Sequence, residues 1–184
     1  MSEYRATMDE ENLTARIQEI GFSCTRCGEC CRQGSGDDNL VMVTPAEIRR
    51  ISSQCHLRAE ECAEPYPERV KLCDGTEITF GWALRRVAGD CTFYREGSCQ
   101  IYAKRPWICR TYPFMLDGGD LLTSPCPGIG IPICKEEARA LARDLRARWA
   151  AEEEEGEKIR QVISALLPRE EGVLVVDGEG VTRV

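Results

Sequence analysis

Cys24-Thr25-Arg26-Cys27-Gly28-Glu29-Cys30-Cys31 places four thiols within eight residues, in the pattern C-x2-C-x2-C-C. Two intervening residues let a tight turn aim both flanking sulfurs at one point, the spacing of zinc knuckles and iron–sulfur loops. Gly28 follows the second thiol, where such a turn often needs a positive φ. The competing reading is a disulfide pair with two spare thiols, which suits an oxidising compartment. We read the stretch as a metal-binding knot. Successive side chains diverge in helix and strand alike, so Cys30 and Cys31 do not readily point the same way. They serve different metals, or one of them, Cys31 first, stands outside the ligand set.

One knuckle alone rarely wraps a tetrahedral ion, so further ligands are expected elsewhere. Cys91, Cys99, Cys109 and Cys126 supply them, each beside a turn-forming or stiffening residue: Gly97 and Ser98, Pro106, or Pro127. Cys91-Thr92-Phe93-Tyr94 and Cys99-Gln100-Ile101-Tyr102 flank the turn Arg95-Glu96-Gly97-Ser98, a predicted hairpin that would bring Cys91 close to Cys99. Arg105-Pro106 predicts one helical turn carrying Cys109 and ending before Pro113.

Elsewhere the pattern is α+β: a small metal-nucleated domain of short β-hairpins and peripheral helices. Asp9 to Ile20 predicts a helix with Leu13, Ile17 and Ile20 on one face and Gly21 as its cap. A polar loop runs from Arg32 to Asp38, and Leu40 to Val43 has β character. Thr44-Pro45-Ala46-Glu47 is a capping box for a helix to about Ser53. Leu57 to Ala63 predicts a short helix. Val70–Cys73 and Ile78–Phe80 predict a hairpin about Asp74-Gly75, with Trp82 to Ala88 extending that ribbon. Phe114–Leu116 and Leu121–Thr123 predict another. From Lys135, Ala138, Leu141, Leu145 and Trp149 share a helical face. The block Glu152 to Glu155 reads as solvated. Gly156 is expected to break or kink the helix, followed by a stripe of Ile159, Val162, Ile163, Leu166 and Leu167 stopped by Pro168. Val173 to Val184 predicts a terminal hairpin. We divide the chain into a cysteine-cluster domain, 1–134, and a C-terminal helix and hairpin, 135–184, packed on it.

The motifs Cys24-x2-Cys27-x2-Cys30-Cys31, Cys91-x-Phe93-Tyr94, Gly97-x-Cys99-x-Ile101-Tyr102, Arg105-Pro106-x2-Cys109-Arg110-x-Tyr112-Pro113 and Cys126-Pro127-Gly128 resemble the CxxCxxCC, or YkgJ-type, cysteine-cluster family. Flagellin lysine N-methylases are similar in this cysteine region. The resemblance implies zinc or iron chelation, with eight cysteines as metal ligands: Cys24, Cys27, Cys30, Cys31, Cys91, Cys99, Cys109 and Cys126. C-x2-C-G-x-C followed by a remote Cys-Pro is similar to a ferredoxin loop, whereas two four-thiolate zinc sites would also use every thiol. Both cofactors, an iron–sulfur cluster (4Fe–4S) or Zn(II), stay open.

The whole chain sets bounds on function. Its 184 residues hold 24 basic and 31 acidic side chains, for a net charge of −7. Ligating thiolates would add more negative charge, which argues against nucleic acid and anionic membrane as partners. No apolar run approaches the ~20 residues of a membrane span. Met1 to Arg5 lacks the apolar core of a secretory leader, so a reducing cytoplasm is expected. Twelve cysteines and only 7% aromatic residues suggest a core held partly by metal. Cys55, Cys62, Cys73 and Cys134 read as buried core thiols, with a further site at Cys55, His56, Cys62 and Cys73 as the alternative. Arg105 and Arg110 either offset thiolate charge or pair with acids; Tyr102, Trp107 and Tyr112 read as packing. The functional expectation is a polycysteine metal centre, structural, with electron transfer or metal handling in view and a protein as possible partner. The alternatives are a protein-modifying enzyme akin to a lysine methylase and a zinc-stabilised interaction module.

Overall fold

Asp9 caps the first helix, α1 (Glu10–Ile20), by accepting from the backbone N–H of Glu11 and Asn12 at 3.1 and 3.4 Å, and Gly21 closes it onto the Ile17 carbonyl. In the computed structural model, which describes residues 9–32, 40–165 and 173–184, this helix lies along a 31-residue helix, α5 (Lys135–Ala165). Leu13 and Ile17 meet Ala138, Ala142 and Leu145 at that contact, with Phe22 and Phe114 in edge-to-face contact beside them. Small alanines on α5 let the two helices approach closely. Cys134 starts α5 as a sulfur cap: it accepts from the Glu137 N–H, and the Glu137 carboxylate accepts from the Cys134 N–H, both at 3.4 Å. The predicted break at Gly156 is absent. One glycine costs a helix only about 1 kcal/mol, and ion pairs Arg148–Glu152 and Glu154–Lys158 brace this stretch. Ile159 and Val162 beyond it pack on a sheet, so burial outweighs the local penalty.

That sheet has the order β13-β12-β4-β3, with β3 (Val70–Lys71), β4 (Glu77–Phe80), β12 (Val173–Asp177) and β13 (Gly180–Arg183). Both predicted hairpins form, and β12 and β4 also join in parallel, Val173 opposite Glu77 through Val176 opposite Phe80. The chain then turns at Gly81. Trp82 to Ala88 does not extend the ribbon: β5 (Trp82–Leu84) is the centre of a second sheet, between β1 (Met42–Val43) and β2 (Ala63–Pro65). Trp82 donates its indole N–H to Asp177 at 2.7 Å, tying the two sheets together. The helix expected from Leu57 shortens to one turn, α3 (Ala59–Cys62), because its next residues are drawn into β2.

Thr44 and Glu47 form the expected capping box on α2 (Pro45–Cys55). Ile48 and Ile51 of α2 join Val43, Cys62, Leu84, Phe93 and Ile101 in a core that underlies Cys91, Cys99 and Cys109. The hairpin β10 (Phe114–Asp117) and β11 (Asp120–Thr123) forms as predicted. The fold is α+β, with five α-helices and short, mainly antiparallel strand pairs among the described residues. Among them no helix is long and apolar enough to cross a membrane. Gln33 to Asp38 of the polar loop, and Leu166, Leu167 and Pro168, lie outside the described residues.

Candidate metal centre

The first knuckle is laced to the Cys126 loop by backbone. Ser23 N donates to the Gly128 carbonyl at 3.1 Å, Gly130 N donates to the Gly21 carbonyl at 3.0 Å, and Phe22 bridges Ile129. A Cβ at Gly128 would run into the Ser23 carbonyl, so this approach requires glycine. Gly28 has the expected positive φ, 77°, and starts a 3-10 turn, Glu29–Cys31. A side chain there would strike the Tyr94 ring. The turn leaves the Cys30 and Cys31 sulfurs 3.9 Å apart.

The hairpin predicted about the turn Arg95–Ser98 forms and Cys91 lies near Cys99, but Cys91 itself belongs to a separate strand pair. Cys91 sits opposite Arg86 in the pair β6 (Arg86–Val87) and β7 (Asp90–Cys91), and Cys99 sits opposite Tyr94 in the pair β8 (Tyr94–Arg95) and β9 (Ser98–Cys99). Ala88-Gly89, with φ of 52° and 89°, forms the turn of the first of these hairpins. Cys109 rides on α4 (Trp107–Thr111). The Glu47 carboxylate holds the start of that helix by accepting from Trp107 N at 2.8 Å. Its other end docks on α5 through Arg110–Asp144, 2.8 Å, and Arg148 to the Thr111 hydroxyl, 3.0 Å.

All eight predicted cysteines line one cavity of about 70 Å³, together with Arg26, Tyr102, Arg105 and Tyr112. Among the described residues, no three Cys, His, Asp or Glu side chains are drawn in to ligating spacing about one point. The thiols surround a space instead. Their electrostatic neighbours divide them. Cys126 feels Cys24, Cys27 and Cys30, whereas Cys109 feels Cys91, Cys30 and Cys99. Cys31 shares hydrogen bonds with Cys30 and Cys99 and holds its proton firmly. Those same bonds lower Cys30 to about 7 and Cys99 to about 6, with the Arg105 guanidinium helping both. Burial pushes Cys91, Cys109 and Cys126 up. Cys30 therefore stands between two groups of thiols.

The two arginines flanking Cys109 split the two readings. Arg105 stays with the thiols, its guanidinium donating to the Tyr102 and Cys109 carbonyls at 2.8 and 3.2 Å, while Arg110 pairs with Asp144. Tyr102 and Tyr112 line the cavity, and the Tyr112 hydroxyl donates to the Pro125 carbonyl at 2.6 Å. Of the four remaining cysteines, Cys62 is buried and Cys55 partly so, but Cys73 and Cys134 are exposed, against the expectation of core thiols. His56, with φ 55°, ends α2. Sequence reasoning missed Glu47 as a support of the Cys109 helix and Arg26 as part of the cavity wall. The capping box drew attention to Glu47 for a local reason only; nothing in the pattern marked Arg26.

An α+β protein whose separate segments meet as thiols around one cavity has the donor chemistry of a soft-metal chelator, not of a calcium or magnesium binder. The chain belongs to the CxxCxxCC family, whose model, described as "Putative zinc- or iron-chelating domain", matches residues 23–138. It is similar to the uncharacterized protein MJ0661 of Methanocaldococcus jannaschii, 27% identical over 100 residues, which are 53% of this chain and 47% of that protein. The chain thus spans about half the length of this curated relative. No solved structure matches the chain significantly.

Proposed function

We propose that the cavity is a polythiolate metal centre with two four-cysteine sets, Cys24, Cys27, Cys30 and Cys126 in one and Cys31, Cys91, Cys99 and Cys109 in the other. The carrying observation is that eight thiols from separate parts of the chain line a single cavity. Its room, about 70 Å³, is several times the ~10–15 Å³ that one water-sized body needs, which favours more than a single ion. We take an iron–sulfur cluster as the first occupant, since the first set follows the ferredoxin-like order with a remote Cys-Pro. Zinc in both sets is the second reading, favoured by the 4+4 division of thiolates. A bound centre would supply covalent links among the first knuckle, the two small hairpins, α4 and the Cys126 loop. Its role is first structural, with folding coupled to metal. The nearness of Cys24 and Cys27 to solvent suits electron transfer or metal handling. No particular contact favours a protein-modifying enzyme or an interaction module.

Anaerobic purification followed by iron, zinc and acid-labile sulfide analysis, with a visible spectrum, tests the reading. Iron with sulfide is expected. A colourless protein holding zinc without sulfide overturns the cluster and leaves the zinc reading. If neither metal copurifies and a Cys27→Ser variant keeps its stability, the metal centre itself is refuted.

A further inference from the structure

Arg26 lies between Cys24 and Cys27 with a backbone φ of 57°, a left-handed conformation uncommon for a non-glycine residue. Its guanidinium carbon stands 4.3 Å from the centroid of the Tyr102 ring. The Arg105 guanidinium carbon stands 3.6 Å from the same centroid. Two cations on one ring repel each other, and the thiol-lined wall beside them is what can offset that repulsion. Arg105 is anchored in turn to the Tyr102 and Cys109 carbonyls. The ring therefore links the first knuckle to the helix that carries Cys109. On its other flank the knuckle is held by Arg32, whose guanidinium donates to the Cys27 carbonyl at 3.4 Å and faces the Tyr94 ring at 5.8 Å. Removing the Tyr102 contact should loosen the knuckle without releasing it altogether.

We propose that Arg26, Tyr102 and Arg105 form a clasp that closes the Cys24–Cys27 knuckle over the cavity, making Tyr102 and Arg26 positioning residues for retention of the metal. The clasp acts through ring and guanidinium contact, a cation–π interaction, and through the Tyr102 hydroxyl, which is hydrogen-bonded to Cys24 and Arg26. Its consequence for retention rests on the metal reading above; its existence does not. The clasp has a signature of its own, because trypsin can cut after Arg26 only when that side chain leaves the ring.

The test uses the full chain with Tyr102→Leu, which keeps apolar bulk and removes the π face, Tyr102→Phe, which keeps the face, and Arg26→Gln, which changes an exposed side chain. In the metal-free reduced protein, limited trypsin digestion is followed by mass spectrometry, with cutting after the exposed Lys71 as the internal reference. Tyr102→Leu should speed the cut after Arg26 about tenfold relative to Lys71, and Tyr102→Phe, which keeps the ring but loses the hydroxyl bonds to Cys24 and Arg26, should speed it less than Tyr102→Leu. In zinc-loaded protein, loss of zinc to excess EDTA should accelerate about 10- to 100-fold in Tyr102→Leu and Arg26→Gln, the range for residues that orient metal ligands, and by less in Tyr102→Phe. The clasp is refuted if Tyr102→Leu leaves the cut unchanged, or if the cuts after Arg26 and Lys71 accelerate alike. Should Tyr102→Leu fail to fold, an unchanged zinc release in Arg26→Gln refutes it alone. If the parent takes up no zinc, the metal reading falls while the proteolysis still decides the clasp.

Discussion

Replacing Glu47 by alanine should destabilise the protein strongly for a change at a single carboxylate. Glu47 is only 7% exposed. One of its oxygens accepts from the Thr44 N–H and hydroxyl at 3.1 and 3.2 Å; the other accepts from Trp107 N at 2.8 Å. Alanine leaves two backbone N–H groups without their partner in partly buried surroundings. A buried donor left unpaired costs about 1–3 kcal/mol, so the loss is about 2–6 kcal/mol, out of about 5–15 kcal/mol for a typical domain. At roughly 2–4 °C per kcal/mol for a chain of this size, the thermal midpoint should fall by about 4–24 °C. Glu47→Gln should lie between, because its amide oxygen can serve either Thr44 or Trp107 while its NH2 faces a second donor. Circular dichroism melts of the protein as purified measure this directly, and iodoacetamide labelling of Cys109 reports whether α4 has loosened. A midpoint within about 1 °C of the parent for Glu47→Ala, with Cys109 labelling unchanged, would show that the carboxylate does not hold the two helices.

Three further outcomes follow from the site. In zinc-reconstituted protein, Cys31→Ser should reduce zinc from two ions per chain towards one, whereas Cys73→Ser should leave it unchanged; equal loss in both would contradict the 4+4 division. Gly128→Ala should drive a methyl into the Ser23 carbonyl, costing about 1–3 kcal/mol as overpacking does and weakening metal retention, and a parent-like melt would contradict the packed crossing. Metal-free stability should depend on pH in two opposite ways. Burial raises Cys91 and Cys109 above the ordinary 9.0, so the folded chain keeps protons that the unfolded chain releases, and stability declines as pH rises above about 9. Cys30 and Cys99 are lowered to about 7 and about 6, so their contribution is full above pH 9 and fades as pH falls through those values. Urea unfolding between pH 5.5 and 10.5 should show both limbs, and Cys109→Ser should flatten the alkaline one; a level profile would remove the case for shifted thiols.

The capping box at Thr44 shows what a local pattern carries and where it ends. Thr44, Pro45 and Glu47 are neighbours, so their mutual hydrogen bonds are legible from spacing alone. The second oxygen of Glu47 meets a backbone N–H 60 residues away, a contact with no local signature. The same limit explains β4 and β12, each legible as a hairpin strand but not as parallel neighbours. Gly156 shows the reverse error: a local preference of about 1 kcal/mol is overridden when Ile159 and Val162 find a sheet to pack on. Cys62 and Cys73 look alike in sequence, yet one is buried and the other exposed. Only the fold distinguishes a core thiol from a surface one, because cysteine suits either.

The adjacent pair at the end of the first knuckle is where spacing and structure inform each other most. Spacing alone makes Cys31 the doubtful member, since two neighbours cannot share one direction. The 3-10 turn removes the difficulty by curling the backbone so tightly that both sulfurs reach the cavity, 3.9 Å apart. Cys31 then turns towards Cys99, and Cys30 remains within the field of Cys126. In the two-set centre proposed above, a pair that would be redundant in one tetrahedral site gives one residue to each set. Cys30→Ser and Cys31→Ser should therefore fail differently: the first should loosen the Cys126 loop, the second the Cys91 and Cys99 hairpins. Hydrogen exchange on the metal-loaded variants would read the two regions separately. Identical exchange patterns in both variants would mean that the two thiols serve a single set.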